Sequence, residues 1–129
     1  MARGFGKDIQ TSSPRVNELK RKVKGLVAAD DIMFEIISVF RETEIIPDVG
    51  KYYTFIYNAK SNNIEFDQFP LIACIEVFQW GFRGLNFHWD TTRSVRNYTW
   101  QEVEGFLHVI ENNEIDYLRS LDYARFLNK

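Results

Sequence analysis

Thirteen of the chain's 20 aromatic side chains lie in the 49 residues from Tyr52 to Trp100. That density constrains the fold more than any other feature. Aromatic and β-branched residues favour strands, and large rings dominate both cores and interfaces. Forty-nine residues cannot hide 13 rings in one small core, so part of the set is expected at a surface completed by a partner. Tyr53, Phe55, Tyr57 and Ala59 alternate with Tyr52, Thr54, Ile56 and Asn58, the period-2 pattern of a strand over 51–59. Lys60-Ser61-Asn62-Asn63 is a turn. A bent second strand follows at 64–66, Pro70 interrupts, and 71–78 resumes as an apolar strand. A turn at Trp80-Gly81 leads into a further strand over 81–89. The expectation is a small, curved antiparallel sheet of three or four strands, with an SH3-like half-barrel as candidate shape.

Both flanks have helical periodicity. Ser13 and Pro14 are a cap and a first-turn proline, and Val16, Leu19, Val23, Leu26 and Val27 follow on one face. A second helix is predicted from Asp30 or Asp31 to about Phe40, with Met33, Ile36, Ile37 and Phe40 inward. After the sheet, Thr99 and Glu102 have capping-box spacing, and Trp100, Val103, Leu107 and Ile110 make a stripe. Ile115, Leu118 and Leu121 extend that stripe past Asn112-Asn113 towards Phe126. The predicted fold class is therefore α+β: two N-terminal helices, three or four strands, and one or two C-terminal helices.

Charge is uneven. Residues 1–24 hold seven basic side chains (Arg3, Lys7, Arg15, Lys20, Arg21, Lys22, Lys24) against Asp8 and Glu18, a net +5. Residues 25–129 hold nine basic and sixteen acidic side chains, a net −7, which restores the chain's −2. Residues 1–12 are expected to be an extended basic arm, and 13–129 a single α+β domain. Such an arm on an acidic body suits an acidic neighbour, protein or nucleic acid. The basic helix can lie on phosphates or dock by its valine and leucine face.

Composition excludes more than it names. A hydrophobic share of 45% and a charged share of 26% argue against wholesale disorder. One cysteine, Cys74, allows neither an internal disulfide nor a cysteine-rich zinc site. No apolar run approaches the roughly 20 residues of a membrane span, and the first residues lack the apolar core of a secretory signal. No membrane partner, cofactor or metal is expected. His88 and Asp90 can face the same way on a strand, the geometry of a general-base pair, but no nucleophile motif accompanies them. His108 is the only other histidine and lies 20 residues away, too few ligands for zinc. Glu65 with Asp67, and Glu111, Glu114 and Asp116 around the helix break, look like solvating acids rather than a converging metal set. Gly81-Phe82-Arg83-Gly84 is flanked by strands, so its glycines serve a tight turn or close packing.

Three segments carry a resemblance: Tyr-Thr-Phe-Ile-Tyr-Asn-Ala-Lys (53–60), Phe-Asp-Gln-Phe-Pro-Leu-Ile (66–72) and Gly-Phe-Arg-Gly-Leu-Asn-Phe-His-Trp (81–89). Over about 40 residues the chain resembles small virion proteins of T4-like contractile-tailed phages, cyanophages included. These pair a tyrosine-aspartate-x-phenylalanine-proline-leucine strand with a glycine-phenylalanine-x-glycine-x-asparagine-x-histidine-tyrosine strand; Phe66 and Trp89 replace the two tyrosines here. The resemblance implies a non-enzymatic structural component of the tail, baseplate or neck, made in the host cytoplasm and residing in the virion. It also implies other virion proteins as partners in a symmetric, multi-copy assembly. Candidate interface residues are Phe66, Phe69, Trp80, Phe82, Phe87, Trp89 and Trp100, with Arg83, Arg93 and Arg96 as polar anchors. A nucleic-acid-binding accessory protein of the neck or packaged DNA end is the alternative, and a small hydrolase using His88 and Asp90 a weaker one.

Overall fold

The computed structural model describes residues 13–60, 65–89 and 94–128. Its organising element is the alternating segment: β2 (Tyr52–Tyr57) is apolar on both faces and takes a central place in a sheet. Helices α1 (Pro14–Val23) and α2 (Ala29–Val39) precede it, with the two-residue β1 (Thr43–Glu44) between. Then come β3 (Glu65–Asp67), β4 (Leu71–Val77), β5 (Gly81–Asn86), β6 (Val95–Thr99), β7 (Val103–Ile110), α3 (Ile115–Ser120) and β8 (Phe126–Asn128). The main sheet has the order β1-β7-β2-β4-β5-β6, antiparallel at every described pairing. β3 and β8 form a separate two-stranded ribbon.

This overturns the predicted fold class. Among the described residues there are three α-helices and eight strands, six of them in the main sheet, rather than a three- or four-stranded sheet followed by C-terminal helices. The chief error lies at 99–111. Thr99 Oγ1 does meet Glu102 Oε1 at 2.6 Å, but the turn closes after one 3-10 turn, Trp100–Glu102. The next eight residues become β7, the partner β2 needs on its free side. Leu107 and Val109 turn to one face and Ile110 to the other, so a stripe at helical spacing also serves as a strand. Gly105, at φ 78°, lies where the β2–β7 register shifts between Thr54 and Ile56, a left-handed conformation only glycine takes cheaply. Further along, Phe126 belongs to β8 rather than to a helix. The bent strand expected at 64–66 is Glu65–Asp67, outside the main sheet, and Ile64 lies outside the described residues. Strand 81–89 ends at Asn86.

Two apolar clusters share the sheet between them. On one face α1, α2 and α3 bury Leu19, Val23, Ile36, Phe40, Leu71 and Leu118 among others. Here α2 starts at Ala29 behind an Ala28 cap with no side-chain bond, rather than at Asp30 or Asp31, and Val27 stands 88% exposed rather than on the buried face. The other face carries Tyr53, Phe55, Tyr57, Ile72, Phe82, Tyr98 and Leu107. The rings of Tyr57 and Tyr98 lie 4.9 Å apart, edge to face, although β4 and β5 separate their strands. A flat sheet with strands about 4.8 Å apart would hold them roughly 14 Å apart. The sheet is therefore curled around its aromatic face. Each fully buried large side chain contributes about 1.5–3 kcal/mol, and each edge-to-face pair about 0.5–1.5 kcal/mol more.

Candidate functional site

The β4–β5 hairpin ends in two loop residues, Gln79 and Trp80. Phe78 N–H donates to Gly81 O (2.7 Å) and Gly81 N–H to Phe78 O (3.4 Å). So short a loop throws the side chains of 78 and 80 together. Their rings stack with centroids 4.8 Å apart and planes 8° from parallel. The Arg83 guanidinium sits 5.2 Å from the Phe78 centroid. It also donates to Asn97 Oδ1 (3.1 Å) and Glu76 Oε1 (3.4 Å). Trp100 Nε1 braces the tip by donating to Gln79 O (2.8 Å). Trp80 remains 42% exposed, with Ile75 and Val77 also in solvent behind it. An arginine, a phenylalanine and a tryptophan held in one arrangement have the composition of an interface hot spot, with part of the ordering cost met before binding.

A second apolar area lies at the mouth of the curl. Ile45, Ile46, Trp100, Val103 and Gly105 line a recess of about 250 Å³. Ile45 is 75% and Ile46 62% exposed.

The other candidate residues divide clearly. Phe66, Phe69 and Phe82 are core side chains with no free face for a partner. Phe87 is half-buried and tilts against Tyr52, with the Arg119 guanidinium 5.6 Å from its ring. Trp89 packs edge-on to Phe126, and the Arg96 guanidinium lies 4.3 Å from the Trp89 centroid. Arg93 and Asp90 lie outside the described residues, as do the arm 1–12, Arg3 and Lys7. In α1 the apolar face is spent on the protein's own core. Arg15 is no free arm contact: it bonds Glu114 through Nε (3.1 Å) and Nη2 (2.6 Å). Lys22 approaches Glu35 at 3.9 Å and Lys20 lies over the Tyr117 ring, while Arg21 and Lys24 are exposed.

His88 has a different partner from the one expected. Its Nδ1 lies 2.8 Å from Asp67 Oδ2, 21 residues away, in a buried network. Asp67 Oδ1 accepts the Phe69 N–H (2.9 Å), Asn86 Nδ2 bridges Asp67 Oδ2 (3.3 Å) and Tyr98 Oη (3.2 Å), and Asn86 Oδ1 accepts the His88 N–H (2.8 Å). The side chains of His88 and Asp67 are 8% and 1% exposed. The ring edge of His88 abuts Tyr123. The network ties β3 to β5 and to the turn beyond it. His108 is in β7, not a helix, with Nδ1 2.6 Å from Phe40 O. No group of three or more His, Cys, Asp or Glu among the described residues is placed to hold a metal. No described helix is long and apolar enough to cross a membrane.

Glu114, expected to solvate the surface, and Glu102, expected to cap a helix, are both structural. Glu114 accepts from Ser13, Arg15 and the Glu111 N–H. Burial pushes its carboxyl up, but those bonds outweigh burial and hold it below the ordinary range. Glu102 behaves likewise: burial is outweighed by bonds from the Lys60 N–H, Thr99 and Tyr57. No protein-family model, curated protein or solved structure matches this chain.

Proposed function

We propose that the protein is an assembly module. The specific form is a structural component of a contractile-tailed phage particle, in its tail, baseplate or neck. There it joins neighbouring subunits through the Phe78–Trp80–Arg83 tip. The observation that supports an assembly role is this stacked, cation-backed aromatic pair at the end of the hairpin, with Trp80 42% exposed. The phage context rests on the motif resemblance at 53–60, 66–72 and 81–89 alone. The nucleic-acid alternative draws less support. It needs a free basic face on α1, and Arg15 and Lys22 already face Glu114 and Glu35.

Mass spectrometry of purified, nuclease-treated particles, calibrated to the major capsid protein, tests the reading. The expected result is a fixed low copy number, reduced several-fold by Trp80→Ala. The stacked pair contributes only about 0.5–1.5 kcal/mol, so that variant still folds. Absence of the protein from particles, or undiminished incorporation of a folded Trp80→Ala variant, would overturn it.

A further inference from the structure

Along an antiparallel ladder, opposite residues alternate between exchanging both backbone bonds and exchanging none. Asn86 N–H donates to Ser94 O (2.6 Å) and Trp100 N–H to Trp80 O (3.3 Å). Both are opposite pairs in the register that sets Phe82 against Tyr98 and Gly84 against Arg96. The bonded positions are therefore 94, 96, 98 and 100. Val95, Asn97 and Thr99 aim their N–H and C=O groups away from β5. β6 is the last strand of the sheet, so they aim at its open edge. The Thr99 N–H points towards the Glu102 carboxylate and helps to hold that carboxyl down. No hydrogen bond among the described residues takes the N–H of Val95 or Asn97, or the C=O of Val95, Asn97 or Thr99.

Exposed edges are normally blunted by proline, lysine, a bulge or extreme shortness. β1, at the other edge, is two residues long. β6 has five residues, no proline, no lysine and no bulge against β5. Its one charge, Arg96, is turned to the aromatic face, over Trp89 and donating to Glu65 O (3.2 Å). Val95 is 52% exposed and Asn97 is exposed.

We infer that the β6 edge pairs antiparallel with the β6 edge of a second copy of this chain, centred on Asn97. The strand is self-complementary in that register. Asn97 meets Asn97 of the second copy, and Val95 meets Thr99, so outward groups face outward groups. Two bonds link the Asn97 backbones and two run from Val95 N–H to Thr99 O. Arg96 falls opposite Tyr98, so no like charges meet. The result is an isologous two-fold dimer with one sheet of twice six strands. The pairing does not depend on the protein's being a virion component.

Sedimentation velocity of the full-length protein from micromolar to hundreds of micromolar tests it. The mass is expected to rise from 15.3 kDa towards twice that value. Asn97→Pro removes an N–H that bonds to nothing in β5 and places a ring on the edge. Asn97→Lys sets two ammonium groups opposite each other and leaves the backbone intact. Each is expected to remain monomeric at the highest concentration, with wild-type circular dichroism and a melting temperature lowered by no more than the lost exposed Arg83–Asn97 bond contributes. Should the proline variant fail to fold, the lysine variant decides. A wild-type protein that stays monomeric throughout, as pairing with a strand of another protein would leave it, overturns the inference. So does a folded Asn97→Lys variant that dimerises like wild type.

Discussion

Glu114→Ala is the perturbation whose cost follows most directly from the structure. The carboxylate accepts four bonds: from Ser13 Oγ (2.6 Å), Arg15 Nε (3.1 Å), Arg15 Nη2 (2.6 Å) and Glu111 N–H (2.8 Å). These bonds tie the start of α1 to the segment before α3, 99 to 101 residues away. Removing the carboxylate orphans the buried Ser13 hydroxyl and the Glu111 N–H, at about 1–3 kcal/mol for each fully buried group. Breaking a buried ion pair from one side costs about 3–5 kcal/mol in all. The Arg15 side chain is 25% exposed and regains some water, which places the loss at the lower end, about 3 kcal/mol. At about 2.1 cal/mol/K per residue, 129 residues unfold with an entropy near 0.27 kcal/mol/K, so Tm falls by about 11 °C. Thermal and urea unfolding followed by circular dichroism measure both quantities. Arg15→Ala is expected to cost at least as much, because it strands a carboxylate that is 3% exposed. The double variant should cost less than the sum of the two. A loss below about 1 kcal/mol for Glu114→Ala, the scale of an exposed pair, would refute the argument. So would strict additivity with Arg15→Ala.

Two further outcomes rest on separate features. A Cβ at Gly81 would stand 2.0 Å from Tyr98 O, a backbone atom that cannot swing aside, so Gly81→Ala forces β5 from β6. The expected loss is about 3 kcal/mol or more, the upper range of overpacking, and a variant within about 1 kcal/mol of wild type by urea unfolding contradicts the close approach. Glu114 and Glu102 are both held below the ordinary carboxyl value of 4.5, so folding favours their ionised forms. Their stabilisation is complete above pH 4.5 and is lost as the pH falls through the folded-state values. The urea midpoint of wild type should therefore drop on acidification more steeply than that of Glu114→Ala, and parallel curves would exclude Glu114 as a source of the acid loss.

The local part of the fold was legible in the sequence. The alternation at Tyr52–Tyr57 set which side chains share a face, and Tyr53, Phe55 and Tyr57 do enter one cluster. Ser13 lies where a cap is expected, and its Oγ accepts the Val16 N–H at 3.3 Å. Spacings of three and four placed Val16, Leu19 and Val23 on a buried face of α1. These signals travel over one or two turns or a few strand residues, so neighbouring side chains suffice to specify them. Where local spacing served two structures equally, it failed. Val103, Leu107 and Ile110 fit a helix stripe, and only the unfilled side of β2 made them a strand. The chemistry was hidden for the same reason. His88 finds Asp67 across 21 residues, Glu102 finds Tyr57 across 45, and Glu114 finds Ser13 across 101. In sequence Asp67 and Glu114 look like solvated charges and Glu102 like half of a capping box; the fold takes all three out of water, and a carboxylate out of water must find donors wherever the fold brings them.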